Sequence, residues 1–431
     1  MKLNINTNII KAINIIEESG HEAYLVGGAV RDYLLDLEPK DYDLATNLDL
    51  DTLIEIFKDY KPNKYKSKGI TVSVIINGTY IEITKYKGLT IDEDLSNRDY
   101  TINSMAYHPN KGVLDPFGGY LDLSNKTLKT TKDPKTVFED DPIRILRGIR
   151  LSSVYDLNAS SDLINKMNEY SYLLLKSNKE RYQQEINTIL TSKIPSKYIR
   201  DYYKVFFIVF PNLKDCYKLN QHNKKWHHLD VFEHTLKVLD STKNNLILRL
   251  AALLHDIGKP KCFTIDDKGI GHFYKHELVS EEIARENLLD LKYNSITINR
   301  VCHLIKYHDR KLSKNESSLL KFLYTFGTND LDLYFGLRRA DILGQNPELL
   351  DRIYEIDEIT EIIRQILNSN KIITYKNLKI KGSDLKSLGY SDKSIGKALD
   401  IILKLVIEKR IKNDYDKLMA YAAKLKYDIN D

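Results

Sequence analysis

Apolar residues spaced by three and four through Ile9 to Glu18, halted by Gly20, predict an amphipathic helix at the start of the chain. Ala23 to Val26 reads as a short apolar strand running into Gly27-Gly28, with a helix-like stretch from Ala29 to Leu35 behind it. Two β-rich runs, Thr71 to Ile76 and Thr79 to Tyr86, meet at Asn77-Gly78, a strong short-range hairpin signal. From about residue 134 the period becomes helical and stays so, as in Ile143 to Leu151, Glu180 to Leu190 and Leu246 to Leu254. Breaks are expected near Pro195, from Pro211 to Lys225, at Gly269-Ile270-Gly271 and from Gly344 to Pro347. The expected fold class is α+β: a small α/β head followed by a long helical body.

With 431 residues the chain exceeds one ordinary core, so two to four modules are expected. Its 42% hydrophobic and 29% charged residues fit a globular protein and exclude a disordered one. The net charge of +5 permits nucleic-acid binding without demonstrating it. Cys216, Cys262 and Cys302 form no CxxC pair, which argues against a disulfide framework or zinc knuckle and fits a reducing cytoplasm. The first residues lack the pattern of a secretory signal, and no apolar run is long enough to span a bilayer, so no membrane partner is expected.

Three features of the head fit one chemistry. Gly27-Gly28 lets the backbone approach a ligand closely, beside Arg31, although such a pair is more often just a turn. Asp41 and Asp43 flank Tyr42, and alternate positions on a strand point to one face. Two carboxylates so close repel unless a cation lies between them, and Mg²⁺ shared with substrate phosphates is the usual solution. An isolated Asp-x-Asp would be a solvated loop. Glu82, between Ile81 and Ile83, would by itself be the wet face of a strand; the first two features make it a third candidate carboxylate.

The run YLVGGAVRDYLLDLEPKDYDLATN (Tyr24 to Asn47) resembles the opening signature of the class II CCA-adding enzyme and poly(A) polymerase family. DLSNRDYTINSMA (Asp94 to Ala106), DPFGGYLDL (Asp115 to Leu123), DDPIRILRGIR (Asp140 to Arg150) and ERYQQE (Glu180 to Glu185) resemble its later motifs, in order. The resemblance implies a small polymerase-β-like head that transfers nucleotides to the acceptor end of tRNA. Asp41 and Asp43 would hold Mg²⁺, and Gly27, Gly28 and Arg31 would meet the incoming triphosphate. Arg98 and Asp99 would lie near its ribose and phosphates. Asn97 departs from the pattern, standing where many members carry Arg. The implied division is a head over 1–125, a helical neck over 126–210, a body over 211–350 and a tRNA-binding tail over 351–431.

Asp141 and Arg144, three apart on an expected helix, would be neighbours. A carboxylate accepts from the cytosine amino group and a guanidinium donates to the adjoining ring edge, so the pair can imitate a base. The resemblance makes it the family's amino-acid template. The alternative is that Asp141, before Pro142, is a helix N-cap. Arg147 continues the ladder, Arg150 has drifted half a turn away, and Arg181 either buttresses this helix or pairs with Glu185. Between Glu82 and Arg98 the chain is short; complete CCA-adding members carry a longer flexible loop there. The shortness resembles the CC-adding subgroup, which uses CTP alone; a full CCA-adding enzyme using CTP and ATP is the alternative.

His234, His255-Asp256, His276, His308 and Asp341 form a second constellation, of residue types that suit a divalent transition metal. LLHDIGKP (Leu253 to Pro260) with EHTL (Glu233 to Leu236) resembles the HD metal-dependent phosphohydrolase superfamily. The ligands it implies are His234, His255, Asp256 and Asp341, with His276 and His308 as further candidates and His272 and His303 as ordinary histidines. A vestigial HD fold is the alternative. Lys-rich segments at Lys371 to Lys381 and Lys404 to Lys412 are candidate phosphate contacts. Rival readings are a poly(A) polymerase, a tRNA-holding module with an inactive head, and an enzyme whose principal site is the HD centre.

Overall fold

A computed structural model describes residues 1–64, 71–369 and 377–429. The chain divides into two compact units, Met1–Pro211 and Asn212–Asp431.

The first unit is organised by a seven-stranded sheet. Its strands are β1 (Ala23–Val26), β2 (Tyr42–Thr46), β3 (Asn63–Lys64), β4 (Thr71–Ile76), β5 (Thr79–Lys85), β6 (Ala106–His108) and β7 (Gly112–Leu114), in the order β3-β4-β5-β2-β1-β6-β7. All neighbours are antiparallel except β2 and β5. The expected hairpin forms at Asn77-Gly78, both with positive φ (47° and 83°), as a tight two-residue connection requires. One sheet face carries Tyr42, Leu44, Ile81 and Ile83 against Ile9, Ala12, Ile13 and Ile16 of the helix Thr7–Glu18. The other face carries Tyr24, Val26 and Ala45 with Tyr86, Ile91 and Leu95. The strand period therefore sends Asp43, between Tyr42 and Leu44, to the second face.

Behind the sheet comes the helix Ile143–Tyr155, which carries Arg144, Arg147 and Arg150. Gly148 in it has a packing reason: a Cβ there would stand 2.1 Å from the Tyr100 hydroxyl oxygen. That hydroxyl donates to the Arg144 carbonyl (2.7 Å) from a fully buried ring. Gly148→Ala is expected to destabilise the first unit by about 2 kcal/mol, lowering its melting temperature by roughly 4–8 °C; calorimetry checks this.

In the second unit the helix Leu246–Leu254 is buried from Leu248 to Leu254. It packs against Val231–Asp240, Ser295–Tyr307 and Leu331–Gly344. An element apolar at every position but Arg249 belongs at a core centre, and this one delivers His255-Asp256 from its C-terminal end. One expectation needs correction. The helical run is interrupted by a hairpin, Phe263–Ile265 with Gly271–Phe273, whose strands are too short to show a period of two. The break expected near Pro195 falls between the helices Glu180–Leu190 and Pro195–Asp201, the second of which Pro195 opens with its preset φ. Of the Lys-rich segments, residues 371–376 lie outside the described residues; Lys404 sits on the helix Asp392–Ile407, and Lys409 pairs with Glu316 at 3.1 Å.

Candidate active sites

Register places the head carboxylates. Asp43 on β2 is directly opposite Glu82 on the parallel neighbour β5, and the same row continues to Val26 on β1 and Ser73 on β4. Residues in register share a face, so Asp43 and Glu82 project together. Asp41 stands just before β2, exposed and outside the ladder. Among the described residues these three are not drawn into a tight metal cage. An open carboxylate edge fits Mg²⁺, which takes one or two carboxylates and completes its shell with substrate phosphates and water.

The Gly27-Gly28 turn follows β1 in the same row. Gly27 has φ +70°, and a Cβ on it would lie 2.9 Å from Arg98 Nη1; a Cβ on Gly28 would lie 3.3 Å from Arg31 Nη2. Two guanidinium groups thus stand against a bare backbone turn beside two carboxylates. The Gly27 amide donates to the Met105 carbonyl (3.1 Å), so it is already engaged.

Each of these arginines is held by polar side chains. Arg98 donates to Asp94 Oδ2 (3.0 Å). Arg31 donates to Asp32, Asn103 and the Tyr155 hydroxyl, and stacks on the Tyr155 ring at 4.2 Å. Asn103 donates to Asp99 Oδ1 (3.2 Å), and Asp99 Oδ2 accepts from Arg147 Nη1 (2.8 Å). Glu185 accepts from Arg150 Nε and lies 4.0 Å from Arg147 Nε. Asp99, expected near the ribose, is a buried hub between Asn103 and Arg147.

Burial alone would raise the Asp99 pKa, but Arg147 overrides it and holds the carboxyl below its usual value. A depressed folded-state pKa means stability that is present above about pH 4 and lost as pH falls further. Asp99→Asn is therefore expected to flatten the fall in denaturant stability between about pH 4 and pH 3, read by guanidinium unfolding at each pH.

The base-reading pair is arranged differently from expectation. The helix starts at Ile143, so Asp141 lies before it in extended conformation and is not on the same helical face as Arg144. Asp141 caps weakly, accepting from the Ile143 amide at 3.4 Å, and is gripped by both Nη atoms of Arg181 (3.0 and 2.6 Å). Arg144, largely buried, pairs with Asp140 (2.7 Å) and donates to the Asn97 carbonyl (3.0 Å). Pro142 explains the difference, because the residue before a proline is steered from the helical region. Arg181 thus buttresses Asp141, while Glu185 serves Arg147 and Arg150.

In the second unit four imidazoles converge on one carboxylate. The Nδ1 atoms of His234, His255, His276 and His308 lie 3.0, 2.8, 2.9 and 2.7 Å from the backbone oxygens of Gly344, Ala252, Phe273 and Ile305. A carbonyl only accepts, so each Nδ1 is a donor and each Nε2 faces inward. Asp256 Oδ2 lies 3.3 Å from His234 Nε2 and 3.2 Å from His255 Nε2, and Asp341 Oδ1 is 3.1 Å from His234. The other oxygen, Asp256 Oδ1, lies 3.2 Å from His276 and 3.8 Å from His308. Burial would raise the Asp256 and Asp341 carboxyls; for Asp256, His255 and Lys259 hold the pKa well below the usual range, as His234 and His255 do for Asp341. Ionised buried carboxylates ringed by backbone-oriented imidazoles fit divalent metal, with Asp256 presenting one oxygen to each half. His272 bonds Asp266 and His303 bonds the Phe326 carbonyl, as ordinary histidines do.

Comparison with known proteins bears on both sites. A profile described as "Poly A polymerase head domain" matches residues 23–90 and 85–129, and one described as "HD domain" matches 226–345. The CC-adding tRNA nucleotidyltransferase of Shouchella clausii is 36% identical over 42% of this chain and 47% of its own, about half its length. The CCA-adding enzyme of Ligilactobacillus salivarius is 31% identical over 57% of this chain and 67% of its own. The chain belongs to the CCA-adding enzyme and poly(A) polymerase family of nucleotidyltransferases. Its fold is that of a solved member, the Bacillus stearothermophilus CCA-adding enzyme in complex with CTP, at TM-score 0.68 with 20% identity over 98% of each chain. Among the described residues no helix is long and apolar enough to cross a membrane.

The short link after β5 is pinned by side chains. Asp94 Oδ1 accepts from the Lys87 amide, and Glu93 Oε2 from the Leu89 amide. Asn97 Nδ2 donates to the Lys87 and Glu93 carbonyls, while its Oδ1 accepts from Lys132 (2.9 Å). The departure at Asn97 is thus a clamp on the link. Sequence reasoning missed Asn103, Tyr155 and Asp94 as arginine partners; Asp94, four residues before Arg98, carried a local signal, whereas Asn103 and Tyr155 reach Arg31 from distant segments.

Proposed function

We propose that the chain adds cytidylates to the 3′ end of tRNA from CTP, without a nucleic-acid template, and stops after CC. Asp41, Asp43 and Glu82 would hold Mg²⁺, which when bound activates the attacking 3′-hydroxyl and steadies pyrophosphate. Arg98 and Arg31, standing against Gly27-Gly28, would take the triphosphate, while Asp99 keeps Arg147 in place. Asp141 retains lone pairs beyond those used by Arg181 and can accept the cytosine amino group. Arg144 and Arg147 would donate to the remaining edge, with Arg150 anchored behind them on Glu185. On this reading the head spans 1–125, the base-selecting neck 126–210, the HD body 211–350 and a tRNA-binding tail 351–431.

The observation that supports stopping at CC is the pinned link from Tyr86 to Thr90. A pocket that must change from cytosine to adenine needs a segment free to rearrange; here Asp94, Glu93 and Asn97 fasten it at both ends. The test incubates the chain with tRNA ending at the discriminator base, Mg²⁺, CTP and ATP, and sizes the products. Products ending at CC support the reading, whereas a complete CCA end sinks it.

A second reading is favoured for the other unit by the convergent Nε2 atoms. The centre formed by His234, His255, Asp256, Asp341, His276 and His308 would hydrolyse phosphate esters once loaded with a divalent transition metal. Water adds to phosphorus, the ester P–O bond breaks, and the departing alkoxide takes a proton.

A further inference from the structure

The helix Ile143–Tyr155 reaches Arg31 by two routes. At its C-terminal end the Tyr155 hydroxyl accepts from Arg31 Nη2 (2.6 Å) and donates to Asp32 Oδ1 (2.8 Å). Asp32 Oδ1 also accepts from Nε and Nη2 of Arg31 (3.0 and 2.8 Å), which closes a ring of three side chains. The phenol ring stacks on the same guanidinium at 4.2 Å. Two turns earlier on the helix, Arg147 Nη1 donates to Asp99 Oδ2, and Asn103 Nδ2 donates to Asp99 Oδ1. Arg31 Nη1 then donates to Asn103 Oδ1. The two Nη atoms of one guanidinium therefore lead, by separate paths, to two residues of one helix.

The helix is fixed at several points between and beyond these contacts. Gly148 lies against the Tyr100 hydroxyl, and Arg150 Nε donates to Glu185 Oε2 at 2.5 Å. The Tyr198 hydroxyl donates to the Ser152 carbonyl (3.1 Å). Just past Tyr155 the chain turns through Asp156 (φ 55°), and the Asn158 amide donates to the Lys126 carbonyl (2.7 Å). Asn158–Ala159 there pairs with Thr127–Leu128. Arg147 and Tyr155 stand about 12 Å apart along the axis of such a helix, at a separation that the helix itself holds. Arg31, largely buried, belongs to the short helix Gly28–Leu34 directly after the glycine turn. Tyr155 thus joins the turn that meets a triphosphate to the helix that reads a base, although it lies beyond the last arginine of the fourth motif.

We propose that Tyr155 is a positioning residue for nucleotide choice: it fastens Arg31 to the helix carrying Arg147, so that a matched base and the triphosphate bind cooperatively. A base seated on Arg147 settles the helix. Through Tyr155 on one side and Asn103 with Asp99 on the other, the helix then holds Arg31 in the orientation that meets the phosphates. A mismatched base leaves the helix unsettled, and its triphosphate is held without this help. The inference rests on the proposed assignment of Arg31 to the triphosphate and of Arg147 to the base edge. Its content is a coupling free energy between two contacts, which works equally in both directions.

The test measures equilibrium dialysis of labelled CTP and UTP, with Mg²⁺, against the full chain and its variants. The unaltered chain is expected to prefer CTP. Tyr155→Phe keeps the stacked ring and loses both hydrogen bonds of the hydroxyl. It should weaken CTP roughly tenfold, as loss of a hydrogen bond to a charged group does. UTP, which gains nothing from the coupling, should move by less than about twofold, so the preference for CTP shrinks. Tyr155→Leu, which loses the ring as well, should shrink it at least as far; if that variant does not fold, as calorimetry reports, Tyr155→Phe decides alone. An equal fall for both nucleotides makes Tyr155 a structural support and overturns the coupling. A preference for CTP that Tyr155→Phe leaves intact overturns it too, with the base-reading assignment untouched. Equal affinity for CTP and UTP in the unaltered chain instead sinks that assignment, and CTP affinity unmoved in Arg31→Gln removes Arg31 from the triphosphate. Either of these takes the coupling with it.

Discussion

Asp43→Asn is expected to abolish cytidylate incorporation, lowering the rate by roughly a thousandfold or more, while CTP binding stays within a few-fold. Metal-held charge stabilisation is worth several kcal/mol of barrier, and each 1.4 kcal/mol is a factor of ten. The side chain sits in register with Glu82, beside the turn that faces Arg98 and Arg31. The substitution removes a charge while leaving shape, strand register and the Tyr42–Leu44 core face untouched. Incorporation is read by extension of labelled tRNA and binding by equilibrium dialysis of CTP. A variant that still extends tRNA at a tenth of the normal rate would place the catalytic carboxylates elsewhere. Asp41→Asn supplies an independent check, since Asp41 precedes the strand and takes no part in the ladder.

What could be read in advance follows from the range of each physical signal. Strand alternation and an Asn-Gly turn are local, so the hairpin of β4 and β5 and the outward face of Asp43 were legible residue by residue. The pairing of Asp43 with Glu82 was not, because the parallel register of β2 on β5 is set across intervening chain. Helical arithmetic failed at Asp141 for an equally local reason. It assumed a continuous helix through Pro142, whereas the proline places Asp141 outside and hands it to Arg181. The arginines of the fourth motif carried their chemistry in their identity; Asp140 lies four residues before Arg144 in the same motif, but Asp99 and Glu185 come from separate elements. In the second unit the order of His and Asp marked the centre. The carbonyls that orient each ring lie on backbone, and backbone leaves no mark in composition.

The departure at Asn97 shows how these scales connect. As a residue type it weakens a motif; in the fold it joins the link after β5 to Lys132 through its side chain and to Arg144 through its carbonyl. The link and Arg144, the proposed base reader, therefore share one residue.

Replacing Asp256 with Asn should empty the second unit of metal while nucleotide addition by the head stays within about twofold. Among the described residues Asp256 is the one carboxylate seen by both halves of the centre, Oδ2 by His234 and His255, Oδ1 by His276 and His308. Losing it takes one charged ligand from each half. Removing even an outer partner of a metal ligand costs roughly 10–100-fold in affinity, and removing the shared ligand is expected to exceed that. Asp341 lies only on the His234 and His255 side, 3.1 and 3.8 Å from their Nε2 atoms. Asp341→Asn should accordingly weaken one half and spare the other, and His276→Ala should do the reverse. Metal content after loading with Mn²⁺ and gel filtration separates the cases. Two ions in the unaltered unit, one in Asp341→Asn or His276→Ala, and none in Asp256→Asn is the expected series. If Asp341→Asn and His276→Ala instead each lost all metal, the two halves would be one mononuclear site, and the two faces of Asp256 would have no separate meaning.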